Sequence, residues 1–329
     1  MMEVICAFSS DSRDLYKADI YRVLAMPVGH LIHFRYKKKY VSDVLLNEAS
    51  SLGGKTLAIF FTRGNPLNSA PAICENISIR YATVVSASES AETDVFHVYM
   101  ELGRFCDLTI VSGEIDSQPP NKFLSRLTCK VSPEVANWNS RVMAVKDYFP
   151  NILFFHIKKI RTAWSDPVAL KTLGLSSRYC LNQGGRYIME MAISNPTGTR
   201  STINISEPNG YIQTNCVNPL ECSAQFDDFE VPIFVKSLEV HRQASFVTFK
   251  PELEDFPTGE YATNIEVELK ISPWRPMLFG ALSVIAASSI AMVAPVSKSS
   301  VSPSMTVYFL SAILLFSSVS AMFYLFNKK

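Results

Sequence analysis

Charge is missing from nearly all of the C-terminal end of this chain. Residues 276–297 and 299–327 contain no Asp, Glu, Lys or Arg, and Lys298 stands alone between them. Paired cysteines are missing too. The seven cysteines form no Cys-x-x-Cys pair and are odd in number, which argues against a disulfide framework and for reduced thiols in a cytosolic compartment. The five histidines, His30, His33, His97, His156 and His241, show no His-Glu-x-x-His or His/Cys ligand spacing, so no metal site is expected. There is no Gly-x-Ser-x-Gly elbow, P-loop or dinucleotide fingerprint; Gly53-Gly54-Lys55 and Gly184-Gly185-Arg186 read as hairpin turns. Carboxylates such as Asp227-Asp228 sit in polar loops as solvated charge. No catalytic residue or cofactor is expected, hence no enzyme. A net charge of +1 gives no overall pull toward nucleic acid or anionic lipid, so any such binding must be local. The N-terminus lacks a basic stretch followed by an apolar run, so no secretory signal is expected.

What is present begins with those two uncharged runs. Each exceeds the roughly 20 residues that span a bilayer core, which predicts two transmembrane helices at about 277–294 and 306–326. The linker between them carries Pro295 and Pro303 among serines and makes the pair a hairpin. Trp274 and Arg275 at one outer end, and Tyr324, Lys328 and Lys329 at the other, supply interfacial edging; the positive-inside bias puts both termini in the cytosol. Ser283, Ala287 and Ala291 repeat at four-residue spacing and predict a small-residue packing face, while Ser317 and Ser318 add hydroxyls to the second helix. Hydroxyls prefer a neighbouring helix or water but also bond back to their own helix, so a simple tether and an assembling pore both remain open.

The rest reads as mainly β, in two tandem β-rich domains. Residues 1–125 show short alternating strands, as in Ile32, Phe34 and Tyr36 against His33, Arg35 and Lys37, and predict a small β-barrel or sandwich. A linking helix over 126–151 is predicted from Ser132 as N-cap, Pro133 at the first position, and Val135, Trp138, Val142, Val145 and Phe149 on one face. Residues 152–273 return to strands, ending in the one-sided alternation of Ile265, Val267, Leu269 and Ile271. There Asp255, Gly259 and Tyr261 resemble the tyrosine-corner region of immunoglobulin-like sandwiches, implying an Ig-like second domain. Residues 274–329 complete the chain as the hairpin.

The most informative soluble stretch is "HFRYKKKYV". Arg35, Lys37, Lys38 and Lys39 interleave with Tyr36 and Tyr40, pairing cations for phosphate with rings that stack on bases. The same pattern serves as an edge strand guarded by lysines, or as a contact for anionic lipid or an acidic partner.

A cytosolic β-rich region, no signal peptide, and an uncharged hairpin over 276–327 together resemble, in layout, prokaryotic antiviral (abortive-infection) membrane effectors. These include the partners of short prokaryotic Argonautes and of nucleotide-signalling systems. The resemblance implies a nucleic-acid-type or nucleotide ligand, or a partner protein of the same system, as trigger. It further implies assembly into a homo-oligomer and permeabilisation or depolarisation of the membrane lipid. A membrane-tethered scaffold recruiting a protein partner is the competing class.

Overall fold

The first strand, β1 (Met2–Ser10), is buried on both faces, and the chain builds outward from it on either side. The computed structural model describes residues 1–63, 75–90, 92–111, 122–216, 218–236, 238, 242–253, 259–271, 280–285, 312–318 and 320. Helix α1 (Asp14–Ala25) follows β1, and then come β2 (Leu31–Lys37), the short α2 (Asp43–Asn47), β3 (Thr56–Arg63), β4 (Glu75–Glu89), β5 (Val95–Phe105), β6 (Leu108–Ile110) and β7 (Leu124–Val131). They form one seven-stranded sheet in the order β2-β5-β4-β3-β1-β7-β6, antiparallel except for the parallel pair β1 and β3. The sheet curls toward closure. Just past β2, Val41 bridges Leu124 of β7, Ser42 N–H donates to Leu124 O at 2.9 Å, and Phe123 N–H donates to Tyr40 O at 2.7 Å. The alternation read at Ile32, Phe34 and Tyr36 turns those side chains to the inside of the curl, with Phe96, Val98 and Met100 of β5 beside them.

Helix α3 (Trp138–Val145) is shorter than the predicted helix. Asn137, not Ser132, caps it: its side chain accepts from Ser140 N–H at 2.9 Å while Ser140 Oγ accepts from Asn137 N–H at 3.2 Å. That reciprocal pair starts the helix five residues late and leaves Val135 92% exposed, whereas Trp138, Val142, Val145 and Phe149 are buried as expected.

The following strands are β8 (Phe154–Thr162), β9 (Leu170–Leu173), β10 (Ser176–Asn182), β11 (Arg186–Ser194), β12 (Ser201–Ser206), β13 (Ile212–Thr214), β14 (Leu220–Glu221), β15 (Asp227–Val235), β16 (Arg242–Leu253) and β17 (Thr263–Lys270). They make a four-stranded sheet, β13-β15-β11-β8, and a six-stranded sheet, β14-β12-β16-β17-β10-β9. Side chains from both interdigitate, with Phe155 of β8 5.1 Å from Phe249 of β16. The chain is thus mainly β, in several sheets. Tyr261 departs from the tyrosine-corner expectation: it precedes the last of the described strands, β17, not the penultimate one, and its ring packs edge-on to Tyr21 of α1 at 5.6 Å.

The curled sheet meets one end of the sandwich. Tyr21 Oη donates to Leu153 O at 2.6 Å, His156 Nδ1 lies 3.1 Å from Leu24 O, and Leu31 N–H donates to Ser177 Oγ at 3.0 Å. Those partners all sit at the starts of β8 and β10, and one apolar core runs through the junction.

Most of the expected hairpin, including Ala287 and Ala291, lies outside the described residues. Residues 280–285, with Ser283 among them, and 312–318 are helical. Among the described residues no helix is long and apolar enough to cross a membrane. Ser317 and Ser318 both bond back to Leu314 O, at 3.1 and 2.7 Å, which takes up their hydroxyls locally.

Candidate functional site

Strand β2 is an edge of the seven-stranded sheet and pairs antiparallel with β5, so that His33 faces Tyr99, Arg35 faces His97 and Lys37 faces Val95. Strand alternation turns His33, Arg35 and Lys37 outward, and the pairing puts His97 and Tyr99 beside them. The His33 ring lies flat on Tyr99, with centroids 4.1 Å apart and planes 3° from parallel. His97 extends the ring surface sideways, its centroid 5.1 Å from that of His33 with the planes 14° from parallel and its Nδ1 2.9 Å from His33 Nε2. Burial, then the neighbouring His97 and Arg35, hold His33 below the ordinary histidine value, which favours a flat neutral ring at neutral pH.

The predicted residues divide. Arg35 and Lys37 are exposed on this face. Tyr36 is turned into the curl, where its hydroxyl donates to Phe8 O at 3.2 Å, so it has no face to offer a ligand. Burial raises its phenol well above the usual range. Lys38, Lys39 and Tyr40 belong to a single helical turn past the strand. There Lys38 pairs with Glu89 at 2.8 Å, and Tyr40 packs edge-on to Phe123 with Lys39 Nζ 4.9 Å from its ring centre. The structure therefore brings Arg35 and Lys37 together with His33, His97 and Tyr99, three residues that the sequence reading assigned no site role. Their signal lay in the phase of the two strands, since all five occupy outward positions, but the register that joins them spans some 64 residues.

The other described histidines are structural by position. His30 and His156 are buried at the junction, and burial lowers them to about 4 and about 3. The six described cysteines are unpaired, with Cys6 and Cys129 Sγ 3.9 Å apart beneath the sheet. What the β2–β5 face can do chemically is bind: a planar ring surface rimmed by two cations suits an aromatic, anionic molecule.

No protein-family model matches the chain, and no curated protein does. Among solved structures it is similar to a chimeric titin Z1Z2-Z1Z2 tandem functionalised with a GRGDS exogenous peptide from fibronectin. The identity is 7% over 75% of this chain and 94% of that one, with a TM-score of 0.18. It is also similar to the secreted serine protease VesC from Vibrio cholerae, at 9% identity over 77% of this chain and 72% of that one, TM-score 0.20. Likeness at that level carries no argument about fold or function.

Proposed function

We propose that this chain is a non-enzymatic, membrane-tethered effector of prokaryotic antiviral defence, triggered when a nucleic-acid-type ligand binds the β2–β5 face. The observation that carries the reading is the ring surface of Tyr99, His33 and His97 beside Arg35 and Lys37, in a chain whose last residues hold two long uncharged runs. Bases stack on the rings and phosphates meet the cations. Binding must favour an assembled state over the resting one, since a ligand with equal affinity for both shifts nothing. In the assembled homo-oligomer the hairpins, packed along Ser283, Ala287 and Ala291, permeabilise or depolarise the inner membrane, with both termini cytosolic. The sandwich is read as Ig-like, because β8, β11 and β15 share one sheet and β12, β16 and β17 the other, as A, B and E and C, F and G do, with β10 running parallel to β17 beside it.

Two measurements test this. Labelled single-stranded RNA should lose about tenfold in affinity on Tyr99→Ala or His33→Ala, the worth of one stacked base, and binding should weaken with salt. Expression of the full chain should collapse membrane potential while a chain ending at residue 272 should not; equal toxicity of the two would overturn the effector reading. The second reading, a scaffold whose sandwich recruits a protein partner, is favoured by the binding habit of such sandwiches. Replacing Ser283, Ala287 and Ala291 by Leu separates the two, since a tether tolerates the change and an assembling pore does not.

A further inference from the structure

The sandwich has a second end, opposite the junction, and four features meet there. Strand β17 finishes at Lys270, where the chain departs toward residues 276–297. Gln183 N–H donates to Lys270 O at 2.7 Å, Gly184 N–H donates to Val235 O at 2.8 Å, and Arg242 pairs in register with Lys270. Ala163 N–H donates to Arg186 O at 3.1 Å, which sets the turn after β8 at the same end. At the tip of that turn Trp164 is 89% exposed.

The turn is built to hold the indole out. Thr162 N–H donates to Asp166 O at 2.8 Å, Ser165 N–H donates to Thr162 O at 3.0 Å, and Ser165 takes a left-handed φ of 72° that a non-glycine residue adopts only when its surroundings demand it. An exposed Trp is an expensive surface residue in water and a favoured one at a bilayer interface. At the same end Arg186, Lys236 and Arg242 are exposed. Of the described acids at this end, Glu268 is engaged by Lys270 at 3.3 Å and Arg242 at 3.9 Å, and Glu207 accepts from the backbone N–H groups of Tyr211 and Ile212. Asp166 is exposed beside Trp164.

We propose that this end of the sandwich is a docking surface for the anionic headgroup face of the bilayer, with Trp164 inserted at the interface and Arg186, Lys236 and Arg242 facing lipid phosphates. The proposal rests on the reading of residues 276–327 as a membrane hairpin. The five residues 271–275 between β17 and the first uncharged run, Trp274 and Arg275 among them, are too few to carry the sandwich end far from the lipid. Basic side chains at the surface are attracted to an anionic leaflet.

The test uses the full chain in vesicles of phosphatidylcholine and phosphatidylglycerol, against the Trp164→Phe variant, whose substitution is confined to an exposed turn. Flotation is measured first. Trp164 fluorescence, taken as wild type minus variant, should then fall by about half when the acyl chains are brominated near the headgroup, and should resist quenching by aqueous acrylamide. The Arg186→Glu/Lys236→Glu variant should float equally well and lose that quenching. Vesicles that float with Trp164 unquenched by lipid and open to acrylamide overturn the docking surface while leaving the hairpin standing. Protein that fails to float overturns the hairpin, and the docking surface with it.

Discussion

Arg80 is a guanidinium with no exposed surface, set in the sheet wall against the end of α1. It donates to Val23 O at 3.0 Å, Met26 O at 2.6 Å and Gly103 O, and its charge lies 4.5 Å from the Phe105 ring centre. Val23 O and Met26 O belong to the last turn of α1, where carbonyls lack helical partners and the dipole favours a cation, so Arg80 serves as the C-terminal cap. Burial lowers it to about 9, still charged at neutral pH. Arg80→Ala strands three buried carbonyls and leaves a void, and the expected loss is about 3–5 kcal/mol, read as a fall in denaturation midpoint in detergent. Arg80→Lys, with three donors on one ammonium, should fall between; a wild-type midpoint for either would refute the cap. Histidines complete the same neighbourhood. His156, close to Leu24 O, is lowered by burial and then by Arg80; His30, 3.0 Å from Ser177 Oγ, is lowered by burial and then by Arg22 and Arg80. An unfolded histidine takes its proton near 6.5, whereas these wait until about 3 and about 4. The unfolded chain therefore binds more protons throughout that window. Stability is fully present above pH 6.5 and drains as pH falls, by about 2 kcal/mol per histidine between pH 7 and pH 5. Since both bonds cross the junction, melting temperature should drop over that range, and a His30→Asn/His156→Asn chain should show a flatter profile. Parallel profiles would remove the histidines from the account.

Among the elements, α3 shows how one polar pair sets a boundary. Asn137 and Ser140 cap each other's backbone, Trp138 then packs with its ring 6.0 Å from His156, and Arg141 pairs with Asp107 at 3.1 Å. Asn137→Ala should remove about 1 kcal/mol and loosen the first turn, seen as a red shift of Trp138 emission relative to a Trp138→Phe control. An unchanged spectrum and midpoint would assign the start of α3 to packing alone. The apolar face of α3 was legible in sequence because period 3.6 survives any change of cap; its start was not, since Ser132-Pro133 and Asn137 both satisfy local capping rules and nothing local distinguishes the one that the folded chain uses. The same division holds in the candidate site. Alternation in β2 announced which residues face outward, so Arg35 and Lys37 were found and Tyr36 could have been set aside as inward-facing. His97 and Tyr99 were hidden because strand register is a long-range property, fixed by the whole sheet. Tyr261 misled for a related reason: an acidic residue, a glycine and a tyrosine before a strand occur in more than one corner, and here the ring packs against Tyr21 of α1.

For the whole molecule, the two ends of the sandwich place its two proposed surfaces far apart. Strands β10 and β17 run from the junction, near Ser177 and Tyr261, to the chain exit at Lys270. At about 3.3 Å per residue, the eight residues of β17 separate those ends by about 25 Å. Strand β2 starts at the junction, where Leu31 bonds to Ser177, and its outward residues His33, Arg35 and Lys37 lie on the curled sheet beyond it. If the exit end rests on lipid, the β2–β5 face is held clear of the headgroups and stays open to a large soluble ligand. A basic patch used for lipid would need the opposite orientation, so one measurement decides between the two uses of these cations. With a donor dye at Lys236→Cys or at Lys37→Cys, and an acceptor on the lipid headgroups, transfer should be strong at Lys236 and fall markedly at Lys37, by more than half for a dye pair whose Förster distance is about 25 Å. Labelling of the native cysteines is subtracted with the unsubstituted chain. Equal transfer at both positions would mean that the molecule lies along the membrane with its basic face on lipid. The ring surface of His33, His97 and Tyr99 would then be a lipid contact, and the trigger for assembly would have to act elsewhere.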